Sequence, residues 1–222
     1  MSRIFWMQPE NTKIGNVQRD IEQQTGTNTF CVLPWIHFAT RPNGDMRLCC
    51  SSNASGANVD HEIGLVKNEQ GKPANFGRET PLSAWNNEYM RSVRTTMLAG
   101  NIPASCSKCY DEEARGVASK RIWETGTWMQ EDVDLKELVE QTQADGTIPD
   151  RLVYLDLRLG HTCNLKCVMC SPHDSSAWVG DHKKIFPILE HQKLKDQLNW
   201  DREEFDNKWH ENPDFWREMY AQ

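Results

Sequence analysis

The clearest pattern of apolar positions along the chain predicts a helix after Thr80. Thr80 is a typical N-cap, Pro81 suits the first helical position, and Gly100 is expected to end the helix. The apolar positions that recur at helical spacing between them are Leu82, Trp85, Tyr89, Val93 and Met97. This helix leads the chain towards the pair Cys106 and Cys109, and a second, polar helix is predicted to begin at residues 111–113.

A β-hairpin is predicted upstream of that helix. Residues 34–39 form an apolar run, the sequence Arg-Pro-Asn-Gly at 41–44 is typical of a turn, and a second strand resumes at Met46. This hairpin would bring Cys31 towards the pair Cys49–Cys50. The polar stretch 51–77 that follows is interpreted as a long loop.

The apolar pattern changes again near residue 150, where we place a domain boundary. Residues 1–27 are polar and predicted to form an extended leader, 28–125 carry the hairpin and helix, and 126–150 form a helical linker with amphipathic spacing over 128–144. The last unit, 151–222, is expected to belong to a different fold. A length of 222 residues suits two small units of this kind.

A strand is predicted to open the last unit. Residues 151–159 alternate in polarity with a period of two, and Gly160 ends the run. The chain after Pro172 looks helical and charged. Its aromatic residues are spaced as in helices that pack onto a core, although a binding platform is the alternative; they include Trp200, Phe205, Trp209, Phe215 and Trp216.

Composition narrows the classes of function. The net charge is -7 and no block of Lys and Arg occurs, which argues against a nucleic-acid partner. The N-terminus lacks the apolar core of a signal peptide, and the apolar runs are too short to span a membrane. We therefore expect a cytoplasmic protein with no membrane partner.

The eight cysteines point to metal rather than to disulfides. Disulfide frameworks belong mainly to short secreted chains, and no export signal is present. The cysteines fall into two groups, which predicts two sites. The first group contains Cys31, Cys49, Cys50, Cys106 and Cys109, and the second contains Cys163, Cys167 and Cys170.

The second group has the spacing C-x3-C-x2-C. Thiolates hold iron–sulfur clusters, and a 4Fe-4S cube normally takes four of them. Three thiolates from Cys163, Cys167 and Cys170 would leave one iron with an open position for a small molecule. Zinc is the alternative, because His161 or His173 could close a tetrahedron.

The sequence CNLKCVMC, which follows a predicted strand, resembles the cluster loop of the radical S-adenosylmethionine superfamily. The resemblance implies that Cys163, Cys167 and Cys170 hold a 4Fe-4S cluster whose fourth iron binds S-adenosylmethionine. It also implies cleavage to a 5'-deoxyadenosyl radical, which removes a hydrogen atom from a substrate. The fold implied is α/β, with the strand as the first of a partial (β/α)6 barrel. Met169 replaces the usual aromatic residue near the adenine, and we expect it to fill the same space.

Two readings of the first cysteine group stay open on spacing alone. A hairpin group followed by C-x2-C suits tetrahedral zinc. The group also resembles, together with residues such as Trp35, Trp85 and Arg91, the twitch and SPASM regions that hold an auxiliary 4Fe-4S cluster. That resemblance implies the ligands Cys31, Cys49, Cys106 and Cys109. Cys50 is the alternative to Cys49, because adjacent strand residues face opposite ways.

The resemblance covers roughly half of the chain. Only residues 171–222 follow the cysteine loop, whereas a full (β/α)8 barrel takes roughly 250 residues. A glycine-rich GGEP-type motif is also absent from the sequence. We therefore expect an incomplete barrel, which belongs either to a fragment or to one half of a split protein, or which a complementary polypeptide completes.

Two classes of function follow. The first is a radical S-adenosylmethionine protein, whose partners are S-adenosylmethionine, a donor such as flavodoxin or ferredoxin, and a peptide, sugar or small-metabolite substrate. Its catalytic residues are not identified by the sequence. The second is a non-catalytic module that binds zinc or structural iron–sulfur clusters at two sites.

Overall fold

The computed structural model describes residues 10–52, 64–192, 195 and 208–221, which form a mixed α/β structure. This agrees with the predicted fold class at the coarse level. The helices are α1 (Glu10–Thr25), α2 (Leu33–Ile36), α3 (Pro81–Trp85), α4 (Glu88–Leu98), α5 (Ser107–Ala114), α6 (Lys120–Gln130), α7 (Leu135–Glu140), α8 (Val179–Ile185) and α9 (Pro213–Ala221). The strands are β1 (His37–Thr40), β2 (Met46–Arg47) and β3 (Tyr154–Asp156). Short 3-10 turns cover Ala104–Cys106, Ser176–Trp178, Phe186–Ile188 and Trp209–Glu211.

The three strands form one sheet in the order β2-β1-β3. β1 and β2 pair antiparallel, so the predicted hairpin is confirmed, although its strands are short. Gly44 closes the turn with a φ of 90°, in the left-handed region that favours glycine. Residues 34–36, predicted as part of the first strand, instead belong to α2, where Pro34 occupies the first turn.

β3 pairs parallel with β1, placing His37 opposite Tyr154 and Ala39 opposite Asp156. The strand is shorter than the predicted 151–159. Its continuation on either side is fixed by single hydrogen bonds, from Val153 N to Ile36 O (3.0 Å) and from Arg158 N to Thr40 Oγ1 (2.8 Å). The two units that the sequence suggests on either side of residue 150 therefore share one sheet.

The polar leader predicted over 1–27 is wrong for its described part, because residues 10–25 form α1 rather than an extended segment. Ile14, Val17 and Ile21 lie on one face of this helix and are buried in the core. The apolar face of α1 has only one buried residue per helical turn, so the periodic pattern in the sequence is weak.

The long helix predicted between Thr80 and Gly100 is interrupted. Thr80 caps α3 with a capping box, as its residue type predicts, but the helix ends at Trp85. Asn87 then accepts a hydrogen bond from Met90 N (2.9 Å) and caps α4 as a new helix. Asparagine competes for backbone hydrogen bonds and favours caps over helix interiors, which explains the break.

Helix bounds between residues 106 and 150 also differ from the prediction. The helix expected to begin at 111–113 begins earlier, at Ser107. The amphipathic helix expected over 128–144 is confined to α7, and its Leu135 and Leu138 are buried in the same core as α1. The predicted linker is thus packed against the rest of the chain.

Arg94 lies at the centre of the fold with no exposed surface. Its guanidinium donates hydrogen bonds to four oxygens in three segments, namely Pro34 O, the adjacent pair Trp85 O and Asn86 Oδ1, and Gly146 O. Burial lowers the pKa of Arg94 to about 9. Arg94 therefore joins α2 to α3 and to Gly146, and it fixes the position of the helix that follows Cys31.

The C-terminal aromatic residues pack as the sequence predicts. Trp209 and Phe215 are buried against Phe76, with ring centroids 5.8 and 4.9 Å away. Trp200 and Phe205 lie outside the described residues. Within the part of the chain that the structure describes, no helix is long and apolar enough to cross a membrane.

Candidate metal centre

Four cysteines distant in sequence line one pocket. Cys31, Cys49, Cys106 and Cys109 contribute to its wall together with Tyr110, Lys120 and Arg121. The cavity volume is about 20 Å³, on a measure by which one water needs roughly 10 to 15 Å³. These four are the residues that the sequence assigns to the auxiliary site.

Each thiol is delivered by a different local structure. Cys31 directly precedes α2, Cys49 follows β2, and Cys106 and Cys109 lie one turn apart where a 3-10 turn becomes α5. Ser52 fixes the turn after β2, because its hydroxyl donates to Cys49 O (2.7 Å) and to Gly64 O (3.0 Å). The hairpin and the returning helix thus meet at the pocket, as predicted.

The structure separates Cys49 from Cys50. Cys49 is buried and lines the pocket, whereas Cys50 is exposed and is not among the lining residues. The carbonyl of Cys50 accepts a hydrogen bond from Arg47 Nη2 at 2.9 Å. Of the two alternatives that the sequence leaves, the geometry favours Cys49.

Burial raises the pKa of all four thiols, because the charged thiolate loses its contact with water. It raises the pKa of Cys31 well above its usual value, that of Cys49 to about 11 and that of Cys106 to about 12. Burial also raises the pKa of Cys109. Repulsion between neighbouring thiolates acts in the same direction, which shows that the groups are close enough to interact. A bound metal reverses this balance, because it coordinates the thiolate form.

The pocket wall is held by contacts that do not involve sulfur. Arg121 donates to Asn28 O (3.0 Å) and Phe30 O (2.9 Å), just before Cys31, and forms a buried two-point ion pair with Glu113 on α5. Tyr110 on α5 donates to Thr29 O at 2.6 Å. The segment before Cys31 is thereby fastened to the helix that carries Cys109.

The four thiols surround the pocket without meeting at one point. Among the described residues, no group of three or more Cys, His, Asp or Glu side chains is arranged to hold a single metal ion. A tetrahedral zinc would need thiolates about 2.3 Å from one centre. As the structure places them, the four cysteines line one pocket and do not form such a centre.

The second cysteine group lies on an open loop. Cys167 is exposed and Cys163 and Cys170 are half-buried, and the ionisation of Cys170 is affected by both of the others. Leu165 N lies 3.4 Å from Cys163 Sγ, and Cys170 N donates to Cys167 O (3.0 Å). The three cysteines therefore lie on one surface loop, and their role as metal ligands stays a prediction.

Residues that follow the loop fold back and hold it. Ser176 Oγ accepts from Cys163 N and donates to Cys163 O, both at 3.1 Å, and Ser175 Oγ donates to Leu165 O at 2.7 Å. Trp178 Nε1 donates to Cys167 O at 3.1 Å. The backbone of the loop is thus fixed on one side while its thiols stay accessible.

The apolar residues at the tip of this loop face solvent. Val168 is fully exposed and Met169 is 93 % exposed. Exposed apolar side chains beside three thiols are typical of a surface that binds a ligand. The expected place of Met169 near an adenine stays a prediction.

Sequence reasoning missed the residues of the four-thiol pocket other than its cysteines. Lys120 and Arg121 begin α6, and Tyr110 lies next to Cys109 on α5. Tyr110 has a signal in its position beside the C-x2-C pair. Lys120 and Arg121 have none, because only the fold brings the start of α6 to the hairpin.

Comparison of the chain with known protein families, with curated proteins and with solved structures gave no match.

Proposed function

We propose that this chain is a radical S-adenosylmethionine protein with two 4Fe-4S clusters. The observation that carries the proposal is the convergence of Cys31, Cys49, Cys106 and Cys109 on one pocket, from segments up to 78 positions apart in the chain. Free cysteines that only fill a core have no reason to gather as a set of four. The C-x3-C-x2-C loop then supplies the second site.

The arrangement of the first site favours a cluster over zinc. In a cubane each thiolate binds a different iron, so the four sulfurs stand around the metal group rather than against one ion. Four thiols spread around a pocket fit this requirement better than they fit a closed tetrahedron. Four protein ligands would also leave no iron open, which suits an auxiliary cluster.

The arrangement of the second site fits a cluster that binds a ligand. The three thiols are accessible, and the loop backbone is fixed by Ser175, Ser176 and Trp178. We propose that this side of the loop stays rigid while Met169, on the exposed tip, packs against the adenine of S-adenosylmethionine. When bound and reduced, such a cluster supplies the electron that cleaves S-adenosylmethionine to a radical able to remove a hydrogen atom from the substrate.

We further propose that β3 is the first strand of a partial (β/α)6 barrel. It ends just before the cysteine loop, and α8 follows that loop, which is the order of one β/α unit. The substrate class, whether peptide, sugar or small metabolite, would be determined by the remaining strands of such a barrel.

Anaerobic reconstitution with iron and sulfide tests the proposal. We expect a brown protein with about eight irons per chain, of which the C163A/C167A/C170A variant keeps about four. The same variant should lose the binding of S-adenosylmethionine, measured by equilibrium dialysis. The C50A variant is the matched control and should keep all of the iron.

A colourless chain that binds two zinc ions would contradict the proposal. It would support the alternative of a non-catalytic metal-binding module. Full iron content in the triple variant would equally exclude the second cluster site.

A further inference from the structure

Two cationic side chains face the four-thiol pocket. Lys120 and Arg121 both line it, and each is paired with a carboxylate, Glu124 and Glu113 respectively. Neither carboxylate is among the lining residues. The positive ends of two ion pairs are therefore nearer to the pocket than the negative ends.

The two cations have different surroundings. Arg121 is buried and bonded both to the backbone of Asn28 and Phe30 and to the Glu113 carboxylate on α5, so its removal would disturb the pocket wall. The side chain of Lys120 pairs with Glu124 at 2.5 Å and keeps 23 % of its surface exposed. Lys120 can therefore be changed without dismantling the pocket.

We propose that Lys120 stabilises the reduced state of a cluster held by Cys31, Cys49, Cys106 and Cys109, and so raises its reduction potential. This inference rests on the proposed function. Reduction adds one negative charge to a group that four thiolates already make negative. A nearby cation stabilises the more negative state more strongly, and partial burial limits screening by water.

Substitutions of Lys120 and Glu124 should shift the midpoint potential in opposite directions. Removing the cation with Lys120→Met should move the midpoint potential to a more negative value. Removing the carboxylate with Glu124→Gln should move it to a more positive value, because the charge of Lys120 is then no longer opposed. A role confined to packing has no reason to give shifts of opposite sign.

The experiment uses the full chain with C163A/C167A/C170A, so that only the first site holds a cluster. Its midpoint potential is measured by potentiometric titration, with dithionite as the electron donor and no bond formed or broken in the step. Lys136→Met is the matched control, because Lys136 makes the same i,i+4 pair with Glu140 on the exposed side of α7. Iron content is measured for every variant.

Opposite shifts in K120M and E124Q, recovery of the original potential in K120R, and no shift in K136M would support the inference. Unchanged potentials at full iron content, or shifts of the same sign, would overturn it while leaving the proposed function intact. A parent chain that takes up no iron at this site would overturn both.

Discussion

His37 and Tyr154 face each other across the parallel pairing of β1 with β3, and their ring centroids lie 4.4 Å apart. His37 Nδ1 also lies 3.2 Å from Tyr154 O. Burial lowers the pKa of His37 to about 4, with the proximity of Lys120 acting in the same direction. The imidazole is therefore neutral in the fold at neutral pH and ties the hairpin to the strand that precedes the cysteine loop.

This contact predicts that the free energy of unfolding falls as the pH is lowered from about 6.5 to about 4. The unfolded chain binds a proton on His37 in this window and the folded chain does not, so acid favours unfolding. A shift from 6.5 to about 4 corresponds to about 3 kcal/mol, present in full above pH 6.5. Urea unfolding at a series of pH values measures it.

His37→Phe should flatten this pH dependence, because it removes the titrating group and keeps an aromatic ring against Tyr154. Tyr154→Phe is the control, since it leaves His37 and its backbone partner in place and should keep the slope. An unchanged slope in His37→Phe would exclude this residue as the cause.

Cys49 and Cys50 offer a test of the pocket geometry. We expect Cys49→Ala to lower iron content by about half after reconstitution, because one of the four buried thiols is lost. Cys50→Ala should have no effect on iron content, since its thiol lies at the surface. Loss of iron in Cys50→Ala but not in Cys49→Ala would show that Cys50 is the ligand.

Ser176 should determine how firmly the cysteine loop holds metal. Ser176→Ala removes two hydrogen bonds to the backbone of Cys163, each worth about 1 kcal/mol. We expect iron to leave the loop up to roughly thirtyfold faster when a chelator is added, while the first site keeps its iron. Ser92→Ala, on the exposed face of α4, is the control, and an equal effect of both variants would contradict a local role.

Gly44 is predicted to be intolerant of any side chain. A Cβ at this position would lie 2.6 Å from Cγ of Trp209, and its φ of 90° is left-handed. We expect Gly44→Ala to lower the free energy of unfolding by about 2 to 4 kcal/mol, measured with urea. Gly15→Ala on α1, where the added Cβ meets no atom within 4 Å, should instead raise it by up to about 1 kcal/mol.

The sequence predicts the features that depend on local chemistry. The turn at Gly44 and the cap at Thr80 are confirmed, because each depends on a residue whose own conformational preference decides the outcome. The meeting of Cys31 with the hairpin and with Cys109 follows from the same turn and the helix that returns to it. The four cysteines that line the pocket are those that the resemblance implies as ligands, and their role as ligands stays a prediction.

The features that the sequence does not predict depend on distant contacts. α1 shows only a one-residue stripe of apolar positions, and its helix is stabilised by a core that forms elsewhere. The break before Asn87, which the asparagine itself caps, is held in addition by Arg94, which bonds Trp85 and Asn86 and joins them to Pro34 and Gly146. Lys120 reaches the pocket for the same reason, through packing that leaves no local pattern.

The fastening of Asn28 and Phe30 to α5 through Arg121 determines how the first site would acquire its metal. Zinc fingers fold only when the ion arrives, because nothing else gathers their ligands. Here an ion pair and backbone hydrogen bonds gather the ligands beforehand, so the chain presents a prebuilt receptacle. Loading of such a site would then depend on delivery of the cluster to the pocket and not on folding of the chain around iron.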